Sequence, residues 1–108
     1  MRADGIIELD SPFARQLGFT GDKFDGYLWK EGNYIYISAV ISKKPKKGNL
    51  KRLFRRIQEL GYGIKVPTPL GVMRVIVKKY GFKRTVEFFR IANRIEEPVE
   101  VWVKEASE

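Results

Sequence analysis

The sequence predicts an α/β domain: a mixed, mostly antiparallel sheet with helices on both faces. Its 108 residues, 44% hydrophobic and 31% charged, are enough for a single hydrophobic core, so we expect one domain over residues 1–108. Runs rich in β-formers alternate with amphipathic runs in the order β-α-β-β-α-β-α-β-β. The central strand–helix–strand unit needs a right-handed parallel crossover, whereas the short last connection favours an antiparallel strand pair.

The N-terminal elements are short. Residues 5–9 are a strand candidate, and a two-turn helix follows with Ser11 as N-cap, Pro12 in its first position and Gly18 at its end. Residues 27–30 then form a strand that pairs through a tight turn with the next one.

Residues 34–42 are the most strand-like stretch of the chain. Alternation places one apolar set on one face of this strand, namely Ile35, Ile37, Ala39 and Ile41. The opposite face carries Tyr34 and Tyr36, so neither face is strongly polar. This pattern is typical of a central strand that is covered on both sides. The two tyrosines could line a ligand slot or belong to the core.

The second half of the chain contains two amphipathic helices. The first spans residues 49–60 and is ended by Gly61, and a short strand follows at residues 63–67. The second helix is expected to begin at Thr68, with Pro69 in its first position, and to end at Tyr80. Strands at residues 84–91 and 99–104 complete the predicted sheet.

Eight basic residues and no acidic residue lie between positions 43 and 56. Their eight positive charges are as many as the net charge of the whole chain, +8. The residues are Lys43, Lys44, Lys46, Lys47, Lys51, Arg52, Arg55 and Arg56. Such a run is often only a solvated helix face. Here no acidic residue lies within the run to relieve the repulsion among its basic side chains. The N-terminus of a helix disfavours cations, and its free backbone N–H groups can bind phosphate. We therefore expect a polyanionic partner, either a phosphorylated cofactor or nucleic acid.

The residue inventory excludes several functional classes. The chain has no cysteine and no histidine, which excludes disulfides, thiol nucleophiles, Ser-His-Asp triads and the usual zinc sites, and we expect no metal. No run of eighteen apolar residues and no signal-peptide pattern occur, so we expect a cytoplasmic protein without membrane association.

From Tyr34 to Lys104, the order of elements and the segment Lys46-Lys47-Gly48-Asn49-Leu50 resemble the C-terminal half of the GCN5-related N-acetyltransferase (GNAT) superfamily. The resemblance implies a compact GNAT-like domain with a shortened N-terminal half. It also implies that the basic loop wraps the pyrophosphate of acetyl-CoA, whose pantetheine arm would lie between the strands at residues 34–42 and 63–67. The implied cofactor-binding residues are Ser42, Lys43, Lys44, Lys46, Lys47, Gly48, Asn49 and Leu50.

The family motif is met only in part. With its first glycine placed on Gly48, Pro45 occupies the Arg/Gln position and Leu50 the second small position. The tyrosine that often serves as general acid falls on Val77, so no catalytic residue is assigned. The resemblance therefore implies an acyl-CoA-binding protein, and transfer of an acetyl group to an amine acceptor is left open.

A non-catalytic nucleic-acid-binding module is the alternative hypothesis. It would use the same basic residues between positions 43 and 56 as a stripe that contacts successive phosphates. The sequence also leaves open a homodimer formed through a bare sheet edge at residues 5–9 or 27–30.

Overall fold

The computed structural model describes residues 4–43, 48–92 and 95–107. This part of the chain forms six strands and three helices in an α/β arrangement. The elements are β1 (Gly5–Glu8), α1 (Pro12–Leu17), β2 (Phe24–Glu31), β3 (Tyr34–Ser42), α2 (Asn49–Glu59), β4 (Gly63–Pro67), α3 (Val72–Lys79), β5 (Lys83–Ala92) and β6 (Ile95–Lys104). No helix in the described ranges is long and apolar enough to span a bilayer.

The six strands form one mixed sheet in the order β1-β2-β3-β4-β6-β5. All neighbouring strands are antiparallel except β3 and β4, which are parallel and connected through α2. The predicted mixed, mostly antiparallel sheet is thereby confirmed. Strand β1 forms one edge and β5 the other, whereas residues 27–30 lie in the interior strand β2. The interpretation of residues 27–30 as a bare edge is therefore wrong.

All three helices pack on the same face of the sheet, so the prediction of helices on both faces is wrong for the described residues. Leu53 and Phe54 of α2 and Val77 of α3 are buried in one core with Ile35 of β3 and Ile64 of β4. The reason is topological. The connections from β3 to β4 and from β4 to β5 both step in the same direction along the sheet. Two right-handed crossovers in one direction place their helices on one face.

Local capping explains where α1 begins and ends. The Ser11 hydroxyl accepts a hydrogen bond from the Ala14 backbone N–H at 3.3 Å, and Pro12 occupies the first turn. Gly18 ends the helix in the left-handed conformation. These three predictions are confirmed.

Helix α3 begins later than predicted, at Val72 instead of Pro69. The Thr68 backbone N–H donates to the Glu100 carbonyl at 2.7 Å, which extends the pairing between β4 and β6 by one residue. Thr68 therefore takes a positive φ of 42° and does not cap the helix. Gly71 precedes α3 without any side-chain cap.

Strands β5 and β6 are longer than predicted. Glu97 and Pro98 belong to β6, although neither residue favours a strand, because they pair with Phe89 and Phe88 of β5. Proline is tolerated there because β4 pairs with β6 only from Val101 onward, so one edge of β6 is open at Pro98.

Candidate functional site

The parallel strands β3 and β4 separate halfway along their length. Only the pairs Tyr34↔Gly63, Ile35↔Ile64 and Tyr36↔Lys65 are in register, although β3 continues to Ser42 and β4 to Pro67. Beyond Tyr36, the edge of β3 that faces β4 therefore has no partner strand in register. Backbone N–H and C=O groups in such a gap are available to a ligand.

A β-bulge in β3 accompanies this separation. Trp29 lies opposite Tyr36 and Tyr27 lies opposite Ala39, so β3 has one more residue than β2 between the two pairs. A bulge reverses the faces of the side chains that follow it. It explains why Ile41 is 68% exposed, against the prediction that Ile35, Ile37, Ala39 and Ile41 share one face.

Gly26 of β2 is required by the close approach of β3 beyond the bulge. A Cβ atom at this position would lie 1.6 Å from the Ala39 carbonyl oxygen, and the backbone has a φ of +106°. Only glycine fits such a contact and such a dihedral angle. The bulge is therefore supported by a residue on the neighbouring strand.

Two cavities lie on either side of the gap between β3 and β4. The cavity on the helix side has a volume of about 210 Å³, and its walls are mainly apolar, including Val40, Val66 and Met73. The cavity on the opposite, open face has a volume of about 420 Å³. Both cavities share Ser38 and Pro67 as wall residues. The gap, called the slot below, thus has one cavity on each face of the sheet, with Ser38 and Pro67 between them.

A cluster of polar residues lies on the open face beside the slot. The Lys65 ammonium is 2.7 Å from a Glu87 carboxylate oxygen, and the Tyr36 hydroxyl donates to the same carboxylate at 3.1 Å. Burial raises the pKa of Tyr36, so its phenol remains protonated at neutral pH. Burial alone would lower the pKa of Lys65, but its hydrogen bonds to Glu87 and Tyr36 outweigh this effect and raise it. The Lys65 ammonium is therefore charged at neutral pH.

This cluster also shows that the sheet is strongly curled. Strands β3 and β5 are three steps apart in the sheet order, which in a flat sheet would separate them by about 14 Å. Nevertheless Glu87 of β5 is bonded to Tyr36 of β3, and the Phe89 ring packs edge-on against the Tyr36 ring. The hairpin of β5 and β6 bends over the open face and closes one side of its cavity.

The start of α2 is the part of the predicted anion site that the structure describes. Gly48 precedes the helix in the left-handed conformation, with a φ of 77°, and no side chain of the described residues caps the first turn. The Arg52 guanidinium donates to the Asn49 side-chain oxygen at 2.7 Å, and a Cβ on Gly48 would lie 3.3 Å from an Arg52 nitrogen. Leu50 packs against the core, so its side chain turns away from the Gly48 backbone. Because guanidinium groups only donate, the Arg52 side chain does not itself cap the helix amides.

The described basic residues between positions 43 and 56 have different surroundings. Lys43 donates to the Gly21 carbonyl at 2.6 Å, and Arg56 donates to the Gln16 carbonyl at 2.8 Å. Lys51 and Arg55 line a separate cavity of about 200 Å³ together with Lys104. The remaining predicted basic residues, Lys44, Lys46 and Lys47, lie outside the described residues. Ser42, also predicted, is half-buried at the end of β3.

Sequence reasoning missed Lys65 and Glu87. A lone lysine between the buried residues Ile64 and Val66 was the available signal, because such a residue must face away from the core and find a partner. No comparable signal singled out Glu87. Val77, at the general-acid position that the resemblance implies, is fully buried among apolar residues, so the described chain offers no phenol there.

Comparison with known proteins gives no assignment: no family model matches the chain, and no curated protein or solved structure matches it significantly. A function for this chain is therefore inferred from the geometry of the site alone.

Proposed function

We propose that the protein binds an acyl-CoA thioester, acetyl-CoA in the first instance, in the slot between β3 and β4. The acyl group would then be presented to an amine acceptor on the open face. The observation that carries this proposal is the separation of the two parallel strands beyond Tyr36 and Lys65, with cavities on both sides of the gap.

The slot suits the pantetheine arm of CoA in shape and in hydrogen bonding. This arm is a narrow chain with two peptide-like amides, and it could pair with the free backbone edge of β3 as an added strand would. The apolar walls, formed by Val40, Val66 and Met73 among others, suit its methylene and methyl groups.

The diphosphate of CoA suits the start of α2. The Gly48 and Asn49 backbone amides and the Arg52 guanidinium supply donors and positive charge within one helical turn. Ser42 and Lys43 stand at the adjoining end of β3. Lys44, Lys46 and Lys47 in the intervening loop remain predicted contacts.

When bound, acetyl-CoA supplies an acyl carbon that bonds to the amine nitrogen as the C–S bond breaks, with the nitrogen proton passing through water to the sulfur. The chain itself would hold the two reactants in position and polarise the acyl carbonyl. The separation of β3 from β4 beyond Tyr36 leaves backbone N–H groups of β3 beside the slot, and such donors can polarise a carbonyl oxygen. Because Val77 is buried, no side chain is assigned as general acid.

Isothermal titration with acetyl-CoA and CoA tests the proposal. The substitution Ser38→Phe fills the slot from a residue that lines both cavities, and we expect it to weaken binding about 10-fold or more, or about 1.4 kcal/mol. Val86→Phe is the matched control, because Val86 is exposed on β5 and lines neither cavity. Absence of binding at millimolar ligand, or equal binding by the Ser38→Phe protein, would contradict the proposal.

A second candidate function is nucleic-acid binding, which the cavity beside Lys51, Arg55 and Lys104 favours. Its walls contain no acidic residue, and no ion partner of Lys51 or Arg55 is found among the described residues. Phosphate contacts of this kind depend strongly on salt.

Fluorescence anisotropy with labelled RNA and DNA at low and high salt tests this second function. We expect the double substitution Lys51→Ala/Arg55→Ala to abolish most of the salt-dependent binding. The double substitution Lys78→Ala/Lys79→Ala removes the same charge from α3 and should have little effect. Affinity that does not change with salt would exclude this function.

A further inference from the structure

The cavity on the open face is lined by aromatic rings. Trp29 and Tyr27 stand on β2, Tyr36 on β3 and Phe89 on β5, so rings reach the cavity from three strands. Trp29 and Tyr27 are 40% and 43% exposed, which leaves part of each ring accessible to a ligand. The cavity volume of about 420 Å³ lies in the range of small-molecule sites, about 300–1,000 Å³.

The charge of this cavity is opposite to that of the chain. The protein carries a net charge of +8, yet the described residues that line this cavity include two carboxylates, Glu31 and Glu87, and no basic side chain. Lys65, which is outside the lining, already neutralises Glu87. Glu31 is exposed at the end of β2 and has no ion-pair partner among the described residues. The cavity therefore has one uncompensated negative charge beside several aromatic faces.

Aromatic faces and a carboxylate together favour an organic cation. A cation near an aromatic ring gains about 0.5–2 kcal/mol, depending on its exposure to water, and gains more from a nearby carboxylate. An anionic ligand would be repelled by Glu31, and a neutral ligand would use only the rings.

We propose that this open-face cavity binds the ammonium end of a primary alkylamine, held by Glu31 and the exposed rings of Trp29 and Tyr27. Ser38 and Pro67 form a wall that this cavity shares with the cavity on the helix side, so a bound amine would lie next to the proposed acyl group. Assignment of this amine as the acceptor depends on the proposed acyl transfer, but binding of the cation does not.

NMR titration of the intact protein with n-butylammonium chloride tests the proposal, and n-butanol serves as the neutral isostere. The protein has two tryptophans, which provide an internal control because Trp102 lies on the helix side of the sheet. We expect butylammonium to shift the indole N–H signal of Trp29 and leave that of Trp102 unchanged. We expect n-butanol to bind about 10-fold more weakly.

Glu31→Gln removes the uncompensated charge and should weaken butylammonium binding about 10-fold while leaving butanol binding unchanged. Glu59→Gln removes the same charge from the exposed end of α2 and is the matched control. Equal binding of the alcohol and the ammonium ion, or full affinity in the folded Glu31→Gln protein, would overturn the proposal. Binding of butylammonium at Trp29 without binding of CoA would support this site and contradict the proposed function. Binding of CoA without binding of butylammonium would support the proposed function and contradict this site.

Discussion

The ion pair between Lys65 and Glu87 leads to the most detailed prediction. It joins β4 to β5 across the curled face of the sheet and, with Tyr36, supports one side of the open-face cavity. We consider Lys65→Met and Glu87→Gln, singly and combined. Glutamine keeps an acceptor for the Tyr36 hydroxyl, so the second substitution mainly removes the charge.

The expected loss follows from the burial of both groups. The Lys65 side chain is 16% exposed and the Glu87 side chain 25% exposed, so the pair is mostly, but not fully, removed from water. Breaking a fully buried pair costs about 3–5 kcal/mol, and a hydrogen bond to a charged group contributes about 1.5–3 kcal/mol. With residual solvent contact, we expect each single substitution to lower the free energy of unfolding by about 2 kcal/mol. The double substitution should lower the free energy of unfolding by about the same amount, because each single substitution already removes the same interaction.

Urea denaturation at neutral pH measures these free energies through a double-mutant cycle. The exposed pair Lys43 and Asp25, at 3.6 Å with side chains 43% and 62% exposed, is the control. Its coupling energy should be at most about 0.5 kcal/mol, as for most surface pairs. Additive losses for Lys65→Met and Glu87→Gln would refute the reasoning, because they would show that the contact does not join the strands.

Two further predictions concern pH and the start of α2. Hydrogen bonds from Arg74 and Arg84 lower the pKa of Glu100 from 4.5 to about 2, so the stability from this carboxylate is present above pH 4.5 and is lost as the pH falls toward 2. In urea melts over this range, the stability gap between wild type and Glu100→Gln should close, whereas a gap independent of pH would contradict the assignment. Gly48→Ala and Gly61→Ala, both at positive φ, should each cost about 1 kcal/mol, but only Gly48→Ala should also weaken CoA binding, about 10-fold. Equal CoA affinity in the two proteins would exclude the Gly48 backbone from the site.

Local patterns in the sequence were sufficient for most of the elements. The bounds of β3 and β4 agree with the predicted residues 34–42 and 63–67, because apolar β-formers fill both segments and turn residues flank them. The apolar stripe of α2, including Leu53, Phe54 and Ile57, is buried as its spacing predicted. Each of these patterns lies within one short stretch of the chain, so it can be read without knowledge of the tertiary fold.

Features that depend on strand pairing could not be predicted in this way. The bulge in β3 is visible only once β3 is aligned with β2, where Gly26 permits the close approach of Ala39. The face on which α3 packs depends on the strand order, because β6 returns between β4 and β5. Lys65 and Glu87 are far apart in the chain and meet only because the sheet curls. The candidate slot and its polar cluster are therefore products of topology.

The central claim is that the gap between β3 and β4 holds a CoA thioester. Mapping backbone amide shifts on titration of the isotope-labelled protein with acetyl-CoA tests it most directly. We predict the largest changes at Ile37 to Val40 and at Gly48 and Asn49, on both sides of the slot. Changes confined to Lys51, Arg55 and their neighbours, with the amides of β3 unaffected, would show that the ligand binds only the basic surface and would contradict the claim.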